Sequence, residues 1–112
     1  MKIIELEKVK SADTPHSALI RKLLEFKYAT FVHIELKPGE SLKKHITPVD
    51  ACFYILEGNG KVEIGDEIKD VKKDDLIFSP AKIVHRLFNE SEAVFKFLVI
   101  KTPTPESKTV VL

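Results

Sequence analysis

Residues 39–58 have the sequence GESLKKHITPVDACFYILEG, in which a polar segment is followed by a strongly apolar one. The apolar segment, Ala51 to Leu56, has the length and the aromatic content of a β-strand. It ends at Glu57-Gly58-Asn59-Gly60, a cluster of turn-forming residues, and the alternating segment Lys61-Val62-Glu63-Ile64 follows. Two strand-like segments joined by such a cluster are typical of a β-hairpin, so we expect residues 51–64 to form one.

Apolar residues alternate with other residues on both sides of this stretch. Between Tyr28 and Leu36 every second side chain falls on one face of a predicted strand, and one face should belong to the core. Further short strands are predicted at Ile68–Val71, Leu76–Phe78, Val84–Phe88 and Val94–Ile100, with polar turns between them. This regular spacing predicts an all-β domain with a closed or sandwiched antiparallel architecture, which removes exposed sheet edges.

The two ends of the chain follow other patterns. Leucine and phenylalanine spacing in Ser17–Phe26 predicts a helix. The segment Thr102-Pro103-Thr104-Pro105 is predicted to be a linker, because proline cannot donate the hydrogen bond that a central strand needs. Val110-Val111-Leu112 is apolar enough to dock either on its own barrel or on a partner subunit. We therefore divide a single domain, 1–112, into an N-terminal arm (1–27), a barrel (28–101) and a C-terminal tail (102–112).

Composition and charge narrow the class of protein. The chain has 112 residues, 18 Lys and Arg against 17 Asp and Glu, and a formal charge of +1. Such a balance offers no basic field for nucleic acid or an anionic membrane, and no apolar run approaches the roughly 20 residues of a membrane-spanning helix. Cys52, the single cysteine, cannot form an internal disulfide, and the N-terminus lacks a signal-peptide pattern. We expect one soluble, cytoplasmic domain without nucleic-acid or membrane partners.

Two segments of the chain resemble the two sequence motifs of the cupin family. Six residues match the motifs at the family's intervals: Gly39, His45, Gly58, Pro80, His85 and Asn89. Asp74 and Lys82 stand where the family has glycines, and a residue other than glycine there implies either a strained backbone or a reshaped turn. The resemblance implies a small single-domain, RmlC-like jelly-roll barrel, also called a double-stranded β-helix, and the family's tendency to form a homodimer.

The resemblance also implies a metal site. Cupins commonly hold a divalent transition metal (Mn, Fe, Ni, Cu or Zn) with three histidines and one glutamate at the bottom of the barrel. These positions correspond here to the four residues His45, Thr47, Ala51 and His85. Only the two histidines are retained as metal ligands; the Thr47 hydroxyl could bond a metal-bound water, whereas Ala51 contributes only space.

Three other residues are candidates for an additional ligand. Asp50 adjoins the family's glutamate position, but adjacent strand residues face opposite sides, so it reaches the site only if the strand starts after it or Pro48 re-aims it. Otherwise Asp50 starts a turn by bonding nearby backbone N–H groups. His33 lies on the less apolar side of its predicted strand and could instead be a surface or interface residue. His16 belongs to the N-terminal arm, which could fold over the barrel mouth.

Side-chain parity predicts the lining of the pocket and leaves several functions open. Phe53 and Ile55 share parity with Ala51, and we expect these three residues and Thr47 to line an apolar lumen. The first hypothesis is a cupin that holds a divalent transition metal and acts on or binds a small organic molecule. The alternative is a non-catalytic binding or sensor module without a functional metal, and a third possibility is a scaffold that acts by association. Whether the protein is an enzyme stays open.

Overall fold

The computed structural model describes residues 1–12 and 18–112, which form two five-stranded antiparallel sheets. A single turn of 3₁₀ helix at Leu6–Lys8 precedes the strands, and the described residues contain no helix that could span a membrane. The strands are β1 (Leu19–Phe26), β2 (Ala29–Leu36), β3 (His45–Ile46), β4 (Asp50–Glu57), β5 (Asn59–Ile64), β6 (Glu67–Lys72), β7 (Leu76–Ser79), β8 (Val84–Phe88), β9 (Phe95–Thr102) and β10 (Val110–Val111). Sheet A has the order β1-β2-β9-β4-β7 and sheet B the order β10-β3-β8-β5-β6.

The core lies between the two sheets and is built from alternate residues of their strands. In β4 the buried residues are Ala51, Phe53 and Ile55, and in β9 they include Phe95 and Phe97. Such period-two burial is what a half-buried strand requires, because its neighbouring side chains point to opposite faces. The two sheets thus form a jelly-roll barrel, and the prediction of an all-β fold of this class is confirmed.

The predicted helix over Ser17–Phe26 is wrong, because Leu19–Phe26 forms β1. This strand pairs with β2 in antiparallel register across the turn Lys27-Tyr28. Its register shifts between Lys22 and Leu24, so that a bulge offsets the alternation by one residue. The bulge explains the error. Inserting one residue into an alternating strand places apolar side chains three and four positions apart, and this is also the spacing along one face of a helix.

The predicted hairpin over residues 51–64 is also wrong. β4 pairs with β7 and β9 in sheet A, whereas β5 pairs with β6 and β8 in sheet B. The chain therefore crosses from one sheet to the other at Gly58, which has a φ of +83° and lies against the backbone of Val94. Glycine suits this corner because it adopts a positive φ without steric cost and leaves room for the neighbouring backbone.

The C-terminal tail docks on its own barrel. β10 pairs with β3, with Val110 opposite Ile46 and Val111 opposite His45. Upstream of β10, the Thr104 hydroxyl bonds the Thr30 side chain at 2.8 Å and the backbone oxygen of Phe26. Of the two alternatives left open by the sequence, docking within the chain is the one observed for Val110 and Val111.

Asp74 and Lys82, which stand where the family has glycines, both have a left-handed backbone conformation. Their φ angles are 72° and 67°. A residue other than glycine pays roughly 1–2 kcal/mol in this left-handed region. Two hydrogen bonds hold the turns in place: Tyr54 donates to the Asp74 carboxylate at 3.0 Å, and the Lys82 amide donates to the Thr47 carbonyl at 2.9 Å. A strained backbone, one of the two outcomes considered above, is therefore present at both positions.

Candidate functional site

A cavity of about 400 Å³ lies between the sheets, near the edge where β10 covers β3. This volume is in the range of small-molecule sites in proteins. Its wall is mainly apolar and includes the inward side chains of β2, β4 and β9, together with two histidines, two lysines and two threonines. The lining residues are Ala12, Ile20, Lys22, Val32, Ile34, Leu42, His45, Thr47, Phe53, His85, Val99, Lys101, Thr109 and Val111.

The two histidines meet in this cavity. His45 and His85 are directly opposite each other in the β3–β8 pair, although they are 40 positions apart in the chain. Their ring centroids are 4.5 Å apart, and the rings meet edge to face at 70°. His85 is 2% exposed, whereas His45 is half-buried. The β-ladder therefore brings together the two residues on which the sequence-based site depends.

Hydrogen bonds fix both rings. His45 donates from Nδ1 to the Lys43 carbonyl at 2.8 Å, so in the neutral ring Nε2 carries the lone pair. His85 bonds the Ser79 hydroxyl through Nδ1 at 2.6 Å and the Thr47 hydroxyl through Nε2 at 3.1 Å. A neutral imidazole donates through one nitrogen and accepts through the other, and the two hydroxyls can satisfy either arrangement.

Burial keeps these imidazoles neutral. Desolvation lowers the pKa of His85 to about 4, and the positive charges of His45 and Lys101 act in the same direction. Desolvation also lowers the pKa of His45, although its hydrogen bond to Lys43 opposes the shift. At neutral pH the cavity thus contains two uncharged imidazoles, each able to donate one hydrogen bond and accept another.

Three buried phenylalanine rings, one of which contacts His85, pack next to the site. The Phe53 ring lies 5.3 Å from that of His85 and 6.5 Å from that of Phe97, and the Phe95 ring lies 5.2 Å from that of Phe97. These three phenylalanines are at most 1% exposed. Because densely packed interiors resist displacement, the rings hold the His85 imidazole in one position.

Four residues were predicted to line the pocket. Thr47 and Phe53 are among the residues lining this cavity. Ala51 and Ile55 are buried on the inner side of β4 but lie outside the lining set. Parity assigned all four to the barrel interior, yet it could not tell which section of the interior is filled by side chains and which is open.

The three additional ligand candidates lie elsewhere or outside the described residues. The Asp50 side chain is exposed and accepts a hydrogen bond at 2.8 Å from the backbone amide of Ala81, which is 31 positions away and not in a turn started by Asp50. His33 is buried on the outer side of β2, opposite Arg21 and Leu98 in register, and its Nδ1 has no hydrogen-bond partner. Desolvation lowers the pKa of His33. His16 lies in 13–17, outside the described residues.

Sequence reasoning missed four polar residues of the site. Ser79 bonds His85, and Lys22, Lys101 and Thr109 line the cavity. The Lys101 side chain shares its parity with Val99, but the predicted strand ended at Ile100 and so excluded it. Lys22 was missed because it lies in the segment that was wrongly predicted to be a helix. Extending the alternation of β9 by one residue would have indicated Lys101.

The donor set does not match a four-ligand cupin metal site. The described residues contain no group of three or more His, Cys, Asp or Glu side chains that could hold a metal. Metal centres in proteins usually have at least three protein ligands, whereas this cavity offers two imidazoles. Both nitrogens of His85 already bond hydroxyls, and the nearby Lys101 charge that lowers the histidine pKa values also opposes a divalent cation. The described residues of this cavity therefore do not fit the four-ligand metal that cupins commonly hold.

Comparison with known proteins agrees with this architecture. The chain is 32% identical to the uncharacterised protein MJ1618 of Methanocaldococcus jannaschii, over 92% of this chain and 89% of that protein. It is 33% identical to the tetracenomycin polyketide synthase protein TcmJ of Streptomyces glaucescens, over 66% of this chain and 52% of that protein. The alignment with TcmJ thus spans only about half of that protein.

A solved structure and a family model identify the fold family. The polyketide cyclase RemF from Streptomyces resistomycificus superposes with a TM-score of 0.85 at 20% identity, over 100% of this chain and 85% of that chain. At this identity the likeness concerns the fold. The family model described as the cupin domain matches residues 32–101, which include β2 to β9 almost entirely. The chain therefore belongs to the cupin family.

Proposed function

We propose that this cupin binds a small organic molecule in the cavity between its two sheets. The observation that carries the proposal is the cavity itself, which combines about 400 Å³ and a mainly apolar wall with a pair of oriented imidazoles. An apolar wall with a few fixed polar groups is the usual composition of a ligand site. The apolar part of the ligand would contact Val32, Phe53 and Val99, and its polar part would bond His45 and the Thr47 hydroxyl that His85 orients.

The imidazole pair also provides groups for proton transfer. With Nδ1 of His45 donating to Lys43, its Nε2 is the basic nitrogen of the neutral ring. A histidine in this state can take a proton from a bound molecule, which is the commonest form of general base catalysis. The relation to TcmJ brings polyketide-like molecules, which have a carbon skeleton with oxygen substituents, into consideration as ligands.

Cavity filling tests the ligand site. We expect the neutral fluorophore N-phenyl-1-naphthylamine to bind saturably, and Val32→Phe to weaken this binding at least tenfold because the larger ring occupies the cavity. Val84→Phe is the matched control, since Val84 is likewise half-buried but faces away from the cavity, on the side of β8 opposite His85. Fluorescence titration measures both. Absence of saturable binding, or an equal effect of the two substitutions, would contradict the proposal.

A metal held by His45 and His85 is the second candidate function. It is favoured by one observation: Lys43 and Ser79 bond the Nδ1 atoms of the two rings, as groups behind metal-binding histidines commonly do. Elemental analysis of protein purified without an affinity tag or added metal tests it. Stoichiometric Mn, Fe, Ni, Cu or Zn that is lost in both His45→Ala and His85→Ala would support this candidate; metal-free protein would remove it.

We further propose that a second copy of the chain covers the outer side of sheet A. Two rows of apolar side chains cross this side and define what we call the apolar outer face: Leu24, Phe31, Ile100, Cys52 and Phe78 in one row and Leu98, Tyr54 and Leu76 in the next. Leu76 and Phe78 are 63% and 58% exposed. The ion pairs of Glu35 with Arg21 and Lys96 lie beside these rows on the same side of sheet A, and the outer side of sheet B bears ion pairs such as Arg86–Glu63. Large exposed apolar patches mark interaction surfaces.

A charge placed in this face should separate the subunits. Phe78→Lys is expected to convert a dimer into a monomer, because it would bury an unpaired ammonium in the interface. Ile68→Lys is the control, since Ile68 is similarly exposed but lies on sheet B. Sedimentation equilibrium measures the mass of each variant. A wild-type protein that is monomeric at about 100 µM, or a dimer unaffected by Phe78→Lys, would contradict the proposal.

A further inference from the structure

We propose that the ligand of the cavity is an organic anion, and that the ammonium group of Lys101 binds its carboxylate. This inference rests on the proposed function, because it specifies the chemical class of the molecule that the same cavity accepts. It depends on three features of the described residues, namely the charges along the cavity wall, the position of Lys101 in the barrel, and the cost of burying its charge.

The charges along the cavity wall have one sign. Four titratable side chains line the cavity, those of Lys22, His45, His85 and Lys101, and all of them are bases. No Asp or Glu is found among the lining residues that the structure describes. A concave site with charges of one sign and apolar walls concentrates its electric field, and this field attracts ligands of the opposite charge.

Lys101 enters the cavity from the inner side of β9. Its register partners are Thr30 on β2 and Ala51 on β4, both buried and both small. Small neighbours on each side leave space along the sheet, so the four-carbon stem of the lysine can lie against the wall while its ammonium faces the cavity. The side chain is near the imidazole pair, since its charge acts on both His45 and His85.

The Lys101 charge is only partly compensated by the side chains of residues 1–12 and 18–112. Burial lowers the pKa of Lys101, and Glu25 is the carboxylate that opposes this shift. Glu25 is exposed, however, and it also pairs with Lys22 at 3.4 Å. A desolvated cation gains more from a counter-ion than an exposed cation does, because the effective dielectric constant around it is lower. A bound carboxylate would supply that counter-ion inside the cavity.

The Thr47 hydroxyl, which also lines the cavity, adds a hydrogen-bond donor for a carboxylate. When the His85 proton is on Nε2, Thr47 accepts it at 3.1 Å and its own O–H can donate to a carboxylate oxygen, while Ser79 donates to Nδ1 of His85. The apolar wall formed by residues such as Val32, Phe53 and Val99 would contact the hydrocarbon part of the same molecule. The inferred class is therefore a carboxylate carried on an apolar, ring-sized skeleton.

A pair of isosteric probes tests this inference. Isothermal titration calorimetry at pH 7.5 would compare 2-naphthoate with the neutral 2-naphthamide. We expect the wild-type protein to bind the naphthoate at least tenfold more tightly. Lys101→Met should weaken naphthoate binding at least tenfold and change naphthamide binding less than about twofold, which also shows that the variant is folded. Lys101→Arg should retain most of the preference. Lys69→Met, a control at an exposed lysine outside the cavity, should change neither affinity.

The possible failures are distinguishable. If both probes bind with equal affinity, or if Lys101→Met leaves the preference intact, the cavity binds organic molecules but the inference about their charge is wrong. If neither these probes nor N-phenyl-1-naphthylamine binds, the proposed function itself fails and the inference fails with it.

Discussion

Gly58→Ala is expected to lower the free energy of unfolding by roughly 3 kcal/mol or more, from the summed costs of a left-handed backbone and an overpacked contact. Gly58 has a φ of +83°, which a residue with a Cβ adopts only with strain. The added Cβ would also lie far too close to the backbone oxygen of Val94. A backbone atom cannot rotate away as a side chain can, so one of the two sheets would have to shift at their junction.

Gly39→Ala is the matched control for this substitution. Gly39 has nearly the same φ, +85°, but apart from its chain neighbours no described residue has an atom within 4 Å of the position its Cβ would take. Gly39→Ala should therefore lower the free energy of unfolding only by the cost of the left-handed backbone, about 1–2 kcal/mol. Urea denaturation of both variants at one pH would separate the two contributions. Equal losses of stability would show that the contact with Val94 is unimportant for the crossing between the sheets.

Acidification from pH 7 to pH 4 is expected to remove about 3 kcal/mol of stability at His85 alone, from a pKa difference between about 6.5 unfolded and about 4 folded. Between these two values the unfolded chain binds a proton at this residue and the folded chain does not. A fall in pH therefore favours unfolding. The contribution of His85 is fully present above pH 6.5 and declines down to about pH 4. His45 and His33, whose pKa values are also lowered, act in the same direction.

His85→Gln isolates the contribution of His85. Glutamine cannot titrate in this range, but its amide can still bond the hydroxyls of Ser79 and Thr47. Urea denaturation at several pH values between 4 and 7, after dialysis against EDTA, should give a clearly smaller slope for the variant than for the wild type. Parallel curves would mean that His85 is protonated as readily in the folded barrel as in the unfolded chain.

The strand pattern of the barrel could be predicted because burial alternates within each strand. Val84–Phe88 was located correctly as β8, and most of β2, β4 and β9 was located within one or two residues. Which strands pair with each other was harder to predict from the sequence. The turn cluster at Glu57-Gly58-Asn59-Gly60 indicates a change of direction, but its residues do not specify whether the next strand stays in the same sheet. In this chain it enters the opposite sheet, and only packing between distant strands determines that.

The candidate site could be predicted only in part for a related reason. His45 and His85 were selected by a family resemblance, and the structure places them opposite each other through the β3–β8 register. The metal-ligand assignment itself stays a prediction, as do the domain boundaries. Lys101 was missed because its role depends on small partners in two neighbouring strands, Thr30 and Ala51, which are 71 and 50 positions away in the sequence. Such cross-strand neighbours cannot be inferred from local alternation.

The position of Cys52 allows its thiol to be used as a probe of subunit association. It is the single thiol of the chain, and it lies half-buried between Ile100 and Phe78 in the middle of the apolar outer face. A thiol-reactive dye should label it at a rate that falls with rising protein concentration if a second copy covers this side. Ligand entry on the inner side of sheet A should leave that rate unchanged. One chemical label can thus follow subunit association independently of events inside the barrel.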